Sequence, residues 1–309
     1  MMDFPARVDS GPVVGRLAPT PSGLLHLGNA CAFAAAWLSV RAKGGELLLR
    51  VEDVDTTRAR RAVEDQLRED MAWLGLTWDR EVPRQSERDY GPALEALGEA
   101  VYFCECTRAQ IRANGGVHPN ELCKARQSHQ GAVRWSVPEA GQVAFEDRRW
   151  GRRVVTPGEF GDPVLRRRDG IFAYTLAVVA DDIADGVTEV VRGADLLDFS
   201  ALQSLLWRAL GHEPPSWLHA PLLLGGDGRK LSKSHGSLHI GAMREASWSP
   251  RDIWRLLLPM LGIDGAETLP EAVSAFKADG GALGPIGMDL PVDAACPASS
   301  EGVAWSEVQ

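Results

Sequence analysis

The segment RLAPTPSGLLHLGN, residues 16–29, decides the fold. A short strand predicted over Val13–Pro19 ends in a loop of proline, glycine and serine, and His26 stands at the entry to a helix. The free N–H groups and partial positive charge of a helix N-terminus attract phosphate. Gly28 allows a nucleotide to approach the backbone closely. A lone His-x-Gly is common in proteins, so a second signal is needed elsewhere in the chain.

The elements that follow this segment predict a doubly wound sheet. The first helix ends at Gly44-Gly45, a second strand covers Gly45–Asp55, and a second helix covers Thr57–Leu74. The continuous apolar run of the second strand is typical of a strand buried on both faces of a parallel sheet. Strand, helix, strand, helix in this order predicts an α/β fold.

The rest of the chain is less regular. Cysteine, histidine, glycine and arginine are dense from Val101 to about Asp169, which predicts an inserted region. Strand-like apolar runs return over Gly170–Gly193, and a helix is predicted over Ser200–Leu210. Ser249-Pro250 reads as an N-cap with proline at the first helical position. After Gly262 the sequence is rich in glycine, alanine and proline, and the tail from Ala294 to Gln309 carries little that would order it.

The composition is that of an ordinary globular protein. Of the 309 residues, 45% are apolar and 24% are charged, which excludes a disordered chain, a collagen and a coiled coil. No apolar run approaches the roughly 18 residues needed to span a bilayer. The N-terminus MMDFPARVDS lacks the basic start and apolar stretch of a signal peptide. We therefore expect a cytoplasmic protein with no membrane segment.

A second segment, GGDGRKLSKSHG at residues 225–236, complements the first. This glycine-rich loop carries Lys230 and Lys233, two point charges suited to a polyphosphate. Each segment alone is a common pattern. Together, in this order on an α/β background, they predict a nucleotide-binding enzyme.

The two segments resemble the HIGH and KMSKS signatures of class I aminoacyl-tRNA synthetases, with HLGN at His26–Asn29 and KLSKS at Lys230–Ser234. RLAPTPSGLLHLGN, LLRVEDVDTTR, LGLTWD and QSERDYGPAL are similar to segments of the glutamyl branch. The resemblance runs from about Val14 to Ile240. Asn29 departs from the final histidine of the HIGH signature, at a position that varies in the glutamyl branch.

The length of the chain indicates which members of the glutamyl branch it resembles. Residues 235–309 could form a few helices but not the anticodon-binding domains of a full glutamyl-tRNA synthetase. The chain is similar to the truncated glutamyl-Q tRNA(Asp) synthetases, which activate glutamate with ATP, without tRNA, and attach it to queuosine in the anticodon of tRNA(Asp). The resemblance implies a Rossmann-like class I catalytic domain with an inserted zinc-containing acceptor-type region and a short helical C-terminal segment. The implied domains are 1–100 and 170–240 (the two halves of the catalytic domain), 101–169 (the inserted zinc- and RNA-facing region) and 241–309 (the C-terminal segment).

The resemblance also implies a substrate site. The residues implied for glutamate are Arg16, Leu17, Ala18, Pro19, Thr20, Glu52, Tyr174 and Arg192. Arginine suits planar recognition of a carboxylate, and the glutamate α-ammonium matches an acidic residue. The residues implied for ATP are His26, Gly28, Asn29 and Lys233, and those implied for catalysis are His26, Lys230 and Lys233. Mg²⁺ is expected to accompany ATP, and the enzyme is expected to be a monomer.

The inserted region carries a candidate metal site. Its residues are Cys104, Cys106, His118 and Cys123, with His129 as the reserve fourth ligand. Structural zinc takes four cysteine or histidine ligands in a tetrahedron. The family has a similar pattern with a zinc ion, but a tyrosine usually stands near the position of His118. We interpret His118 as the replacement ligand and expect one structural zinc.

A local basic segment is the candidate RNA contact. The whole chain has a net charge of −9, whereas a generic nucleic-acid binder would be basic. Between residues 148 and 168 seven arginines stand against two carboxylates, and Trp150 lies among them. Arginine with an interleaved aromatic suits phosphate contact and base stacking, although most charge runs are solvated faces. The arginines are Arg148, Arg149, Arg152, Arg153, Arg166, Arg167 and Arg168.

Three other functions compete with this interpretation. A short glutamyl-tRNA synthetase would charge the 3′ end of tRNA(Glu), which the implied lack of an anticodon-binding domain disfavours. A non-catalytic RNA-binding paralogue would be expected to lose His26 or the lysine loop, and both are present. A small-molecule nucleotidyltransferase of the same superfamily would not need Arg16, Glu52 and Arg192.

Overall fold

The structure is a computed structural model that describes residues 1–4, 11–115, 118, 120–138, 141–223 and 239–278. The predicted loop at 225–236, with Lys230 and Lys233, lies outside the described residues. So does most of the stretch from 265 to 309.

The described elements alternate strands and helices. The strands are β1 (Met2–Phe4), β2 (Val14–Leu17), β3 (Glu46–Leu49), β4 (Arg80–Glu81), β5 (Val101–Cys104), β6 (Ala132–Trp135), β7 (Val143–Asp147), β8 (Gly151–Val155), β9 (Val164–Arg166), β10 (Glu189–Gly193) and β11 (Ser216–Ala220). The helices are α1 (Leu27–Ala42), α2 (Arg61–Trp73), α3 (Gly91–Ala96), α4 (Arg108–Ala113), α5 (Asn120–Arg126), α6 (Tyr174–Ala184), α7 (Phe199–Ala209), α8 (Ile240–Glu245), α9 (Pro250–Leu257) and α10 (Leu269–Ala278).

The central layer is a parallel α/β sheet, as predicted. Strands β2, β3 and β4 pair in parallel, and β10, β11, β7 and β1 follow one another in parallel order. The two groups meet where the Thr188 N–H donates to the Val14 carbonyl oxygen at 2.9 Å. The carboxyl ends of β2 and β10 therefore lie side by side, which is where a doubly wound sheet places its ligand.

Apolar cores cover both faces of this layer. Val190 and Trp217 belong to one core, whereas the next residues along the chain, Val191 and Leu218, belong to the other. Because successive side chains of a strand point to opposite faces, the two cores lie on opposite sides of the sheet. One core contains α1, α9 and α10, and the other contains α6 and α7.

Helix α1 lies unusually close to the sheet. Its sequence, LGNACAFAAAWLSVRA, is rich in alanine, which favours helix and leaves little side-chain bulk. A Cβ added at Gly15 of β2 would lie only 2.4 Å from a methyl carbon of Val40 in α1. Gly15 therefore makes this helix–strand approach possible.

The predicted inserted region is divided between two sheets. Strands β5, β6 and β9 form a separate antiparallel sheet, with α4 and α5 nearby in the chain. The hairpin of β7 and β8 instead joins the central layer, since β7 pairs with both β1 and β11. Part of the arginine-rich segment thus stands on the central sheet.

The strand-like run over Gly170–Gly193 is corrected by the structure. Residues Tyr174–Ala184 form helix α6, and only Glu189–Gly193 form a strand. Helix α6 is buried along most of its length, so its apolar residues form a nearly continuous run instead of one stripe along the helix. A short apolar run cannot distinguish a buried helix from a buried strand by periodicity alone.

The described part of the C-terminal segment is helical. Helix α9 begins with the predicted cap, since Ser249 and Asp252 form reciprocal side-chain to backbone hydrogen bonds. Phe276 of α10 is fully buried in the core that contains α1. Among the described residues, no helix combines the length and the apolar character needed to cross a bilayer.

The packing of α10 can be tested by core truncation. We expect Phe276→Ala to lower the free energy of unfolding by about 3–5 kcal/mol, because the substitution leaves a cavity against α1. The matched control is Phe160→Ala, since Phe160 is 45% exposed and its loss should cost about 1 kcal/mol or less. Urea denaturation measures both. Equal losses for the two variants would contradict the docking of α10 in the core.

Candidate active site and metal cluster

A cleft of about 350 Å³ opens at the carboxyl ends of β2 and β10, beside the N-terminus of α1. The predicted site residues that line it are Arg16, Ala18, Pro19, Thr20, His26, Asn29, Glu52, Tyr174 and Arg192. Leu17 is fully buried in the core under the cleft and does not line it. The structure thus brings the residues of both halves of the chain to one place.

His26 caps helix α1. Its backbone is extended, and its Nδ1 accepts a hydrogen bond from the Asn29 N–H at 3.3 Å. A Cβ added at Gly28 would lie 3.0–3.1 Å from the His26 imidazole. Gly28 therefore provides space for the imidazole at the mouth of the helix, where phosphate is favoured.

The described chain returns to the cleft after the lysine-rich segment. His239 forms an antiparallel bridge with His26, and the Ile240 N–H donates to the Leu25 carbonyl oxygen at 2.8 Å. On the other side of the segment, Ala220 of β11 pairs with Gly193, which lines the cleft. Both ends of the described chain that flank residues 224–238 are therefore anchored beside the cleft.

Arg16 and Glu52 are held by a buried ion-pair network. Arg16 Nε donates to Asp182 Oδ1 at 3.2 Å, and its Nη1 donates to the Val191 carbonyl oxygen at 3.1 Å. Arg50, fully buried, lies 2.8 Å from the same Asp182 oxygen and donates to Glu52 Oε1 at 3.2 Å. Arg50 thus fixes both Glu52 and, through Asp182, Arg16.

Burial and the neighbouring arginines act in opposite directions on the pKa of Glu52. Desolvation raises the pKa of Glu52, and the neighbouring Arg50 and Arg16 oppose that rise. A ligand ammonium at the cleft would further favour the charged carboxylate. Sequence reasoning did not single out Arg50, although an arginine inside the apolar run ELLLRV was a visible irregularity.

Arg192 and Tyr174 form the opposite wall. Arg192 ends in the cleft from β10, is mostly buried, and stacks with its Cζ 5.0 Å from the centre of the Trp217 ring. Burial lowers the pKa of Arg192, and burial beside Glu52 raises the pKa of Tyr174. The described part of the chain places no carboxylate within ion-pair distance of Arg192, in contrast to Arg16.

The predicted metal ligands form one cluster. One donor atom from each of Cys104, Cys106, His118 and Cys123 lies within 4.8 Å of all the others. The Sγ atoms of Cys104 and Cys123 are 3.8 Å apart, and those of Cys106 and Cys123 are 3.3 Å apart. A tetrahedral zinc site with bonds of about 2.3 Å to sulfur has edges of about 3.8 Å, so the cluster has the size and donor set for zinc.

The surroundings of the cluster favour ligation by His118. Its Nε2 lies 2.9 Å from the Cys104 sulfur, and its Nδ1 lies 2.5 Å from the Asn120 side-chain oxygen. With Nδ1–H donating to Asn120, Nε2 presents its lone pair to the cluster. In metal-bound histidines, the ring nitrogen that does not bind the metal usually donates such a hydrogen bond, which fixes the tautomer. His129 is exposed and is not part of the cluster.

The arginine-rich segment is largely paired with acidic groups. Arg148 donates to Ser39 and Glu189, and Arg149 is buried. The remaining contacts are Arg152 with Asp3, Arg153 with Asp198, Arg167 with Asp55 and Asp169, and Arg168 with the Glu105 carbonyl oxygen. Arg166 is partly exposed at the end of β9. These groups are distributed over two sheets and do not form one continuous patch of unpaired cations.

The geometry of the cleft matches the chemistry of an amino acid with two carboxylates beside a nucleotide. Arg16 and Arg192 offer guanidinium groups, Glu52 offers a carboxylate for an ammonium, and the N-terminus of α1 offers N–H groups for phosphate.

Comparisons with known proteins agree with this geometry. Residues 12–267 match the family described as tRNA synthetases class I (E and Q), catalytic domain. A glutamyl-Q tRNA(Asp) synthetase of Nitratidesulfovibrio vulgaris is 42% identical over 281 residues, which cover 81% of this chain and 86% of the relative. A protein of the same name from Xanthomonas campestris is 46% identical over 235 residues, 74% of this chain and 78% of the relative.

A solved structure supports the same fold. A glutamate tRNA ligase from Elizabethkingia meningosepticum, determined in complex with its amino acid, superposes with a TM-score of 0.71 at 26% identity over 85% of this chain. The chain spans 64% of the length of that ligase. The fold is therefore that of a class I synthetase catalytic domain. By the extent of the family match and the identity of these relatives, the chain belongs to the class I aminoacyl-tRNA synthetases of the glutamyl and glutaminyl type, and among these ligases to the glutamyl-Q tRNA(Asp) synthetases.

Proposed function

We propose that the protein activates L-glutamate with ATP in the absence of tRNA and transfers the glutamyl group to queuosine in the anticodon of tRNA(Asp). The observation that carries this proposal is the cleft in which Arg16, Arg192 and Glu52 converge beside the N-terminus of α1. The name shared by the relatives supports the choice of acceptor.

In the activation step, the glutamate α-carboxylate attacks the α-phosphate of ATP and pyrophosphate leaves. The site contributes alignment of the reactants and stabilisation of the charge that develops on the phosphoryl oxygens. His26 and Lys233 are the proposed donors to those oxygens, with Lys230 in support, and Asn29 and Gly28 flank the nucleotide. Mg²⁺ enters as the partner of the ATP phosphates and neutralises part of their charge.

Glutamate recognition follows from the charges of the cleft. Glu52 accepts the α-ammonium, while Arg192 and Arg16 meet the carboxylates, with Tyr174 beside Arg192. Ala18, Pro19 and Thr20 line this side of the cleft, and Leu17 is buried beneath it. A side-chain amide would not offer the second negative charge, so glutamine should bind less well than glutamate.

The transfer step depends on the shape of the acceptor. A class I site delivers an acyl group to one hydroxyl of a ribose cis-diol, and queuosine carries a cyclopentene cis-diol of similar form. Arg152, Arg153, Arg166, Arg167 and Arg168 are the proposed contacts to the tRNA backbone, because they are at least partly exposed. Arg149 is buried, and Arg148 is held by Ser39 and Glu189, so these two would support the hairpin instead.

A single structural zinc is proposed at Cys104, Cys106, His118 and Cys123. The ion would tie β5 to α5, since two ligands stand at the end of β5 and another lies in α5. Arg134 lowers the pKa of the Cys104 thiol against the effect of burial, which favours the thiolate form that binds metal.

Activation can be tested by pyrophosphate exchange with ATP, without RNA. We expect glutamate to support exchange. Lys233→Ala should raise the activation barrier by about 3–4 kcal/mol, because a positioned donor to the developing charge is lost. Lys277→Ala, in α10, is the matched control and should exchange at the wild-type rate. Normal exchange by a folded Lys233→Ala variant would remove the role proposed for Lys233.

The metal proposal predicts about one zinc per chain after purification without chelators. Elemental analysis should find less retained zinc in His118→Ala than in His129→Ala, because only His118 lies in the cluster. Finding no zinc in the wild-type protein would argue against the site. A greater loss in His129→Ala would make His129 the fourth ligand.

The acceptor can be tested with two tRNA(Asp) preparations, one from cells that make queuosine and one from cells that do not. We expect labelled glutamate to be transferred only to the first. Binding of tRNA(Asp) to the protein should weaken steeply as the salt concentration rises, because contacts to phosphates release counterions. Equal labelling of both preparations, or labelling of tRNA(Glu), would favour a short glutamyl-tRNA synthetase.

A further inference from the structure

Arg192 makes hydrogen bonds to neutral groups deep in the fold. Its Nε donates to His219 Nε2 at 3.1 Å, and its Nη2 donates to Ser200 Oγ at 2.7 Å and to the Leu196 carbonyl oxygen at 3.3 Å. A guanidinium has five N–H donors, and these bonds occupy the one on Nε and the two on Nη2. The two donors of Nη1 remain for the cleft, where the Tyr174 hydroxyl also interacts with the guanidinium.

His219 is placed to act as this acceptor by the sheet itself. Arg192 of β10 and His219 of β11 are direct partners in the strand register. His219 is fully buried, and its Nδ1 lies 2.6 Å from Asp147 Oδ2. Because arginine can only donate, His219 Nε2 must present a lone pair, so the ring carries its proton on Nδ1 and donates it to Asp147.

Asp147 is itself fixed at both oxygens. While Oδ2 accepts from His219, Oδ1 accepts from the backbone N–H groups of Arg149 and Trp150 at 3.0 and 2.9 Å. The carboxylate therefore cannot rotate without breaking the turn between β7 and β8. This arrangement determines which histidine tautomer faces Arg192.

We propose, building on the glutamate site described above, that His219 and Asp147 are positioning residues that set the rotation of the Arg192 guanidinium so that Nη1 faces a carboxylate of the bound amino acid. The imidazole has a second effect. A carboxylate in direct contact would neutralise Arg192, whereas a neutral imidazole orients the guanidinium and leaves its positive charge for the ligand. Burial lowers the pKa of His219 to about 4, which agrees with a neutral ring.

Three substitutions separate this role from simple packing. In Asp147→Asn, the amide oxygen must still accept the two backbone N–H groups, so the NH₂ group faces His219. If the His219 proton stays on Nδ1, it faces the NH₂ group of the new asparagine. If the proton moves to Nε2, it faces the Nε–H of Arg192, so two donors oppose each other in either case. His219→Leu removes the acceptor, whereas the side-chain oxygen of His219→Gln can still accept from Arg192.

The kinetic test is pyrophosphate exchange with separate titrations of glutamate and ATP. We expect Asp147→Asn and His219→Leu to raise the KM for glutamate by about ten- to a hundredfold, the range of a hydrogen bond to a charged group, and to leave the KM for ATP within about twofold. His219→Gln should recover part of the loss. The matched control is Ser204→Ala, because Ser204 is buried nearby but donates only to the Ser200 carbonyl oxygen.

A second measurement does not depend on activity. The ¹⁵N spectrum of the wild-type protein, with His219 assigned by comparison with His219→Gln, should show the proton on Nδ1 throughout the neutral pH range. A proton on Nε2 would overturn the proposal, even if no amino acid is activated. So would an unchanged glutamate KM in folded Asp147→Asn and His219→Leu. If wild-type protein fails to activate glutamate while Nδ1 carries the proton, the proposed function fails and the dyad stands.

Discussion

The buried Arg50 guanidinium is the interaction on which the active site depends. It lies 3.2 Å from Glu52, 2.8 Å from Asp182 and 3.3 Å from Asp185, and its side chain is fully buried. Glu52 follows β3 in the first half of the central layer, whereas the two aspartates belong to α6 and its C-terminal cap in the second half. A separate sheet intervenes between these halves along the chain. Arg50 therefore brings acidic groups from both halves, and through Asp182 also Arg16, to one cleft.

Such a network fixes the positions of the side chains more than it raises the free energy of unfolding. Moving a charge out of water costs several kcal/mol per ion, and mutual attraction offsets this only when the geometry is good. The Nη1 and Nη2 groups of Arg50 are paired with Asp182, Asp185 and Glu52, so the site can be buried and still hold fixed charges. The Nε group has no hydrogen-bond partner among the described residues. Arg16 shares a carboxylate of this network, whereas Arg192 is held by uncharged acceptors. The two arginines that face the amino acid thus differ in how much positive charge they keep for it.

The sequence predicts those parts of the site that stand in local motifs. His26 at a helix entry and Arg16 at the end of a strand stand in one continuous segment. Three of the four candidate metal ligands are closely spaced cysteines, and the family resemblance adds His118. The acceptors of Arg192 could not be found this way, because His219 and Asp147 are separated by 72 residues and meet only through strand pairing. The prediction of a strand in place of helix α6 is wrong because a helix that is buried along most of its length has only a weak amphipathic pattern. The pairing of β7 with the central sheet likewise rests on contacts between distant segments.

The missing side chain of Gly15 has a consequence for this geometry. Because α1 rests directly on β2 at this point, the thickness of the layer between helix and sheet is fixed by the absence of a single methyl group. Arg16 is the next residue on the strand, and His26 caps the end of the same helix that is opposite to Val40. The position of His26 relative to Arg16 therefore depends in part on a residue that does not line the cleft. A side chain at position 15 would push α1 away from β2, and with it His26 away from Arg16.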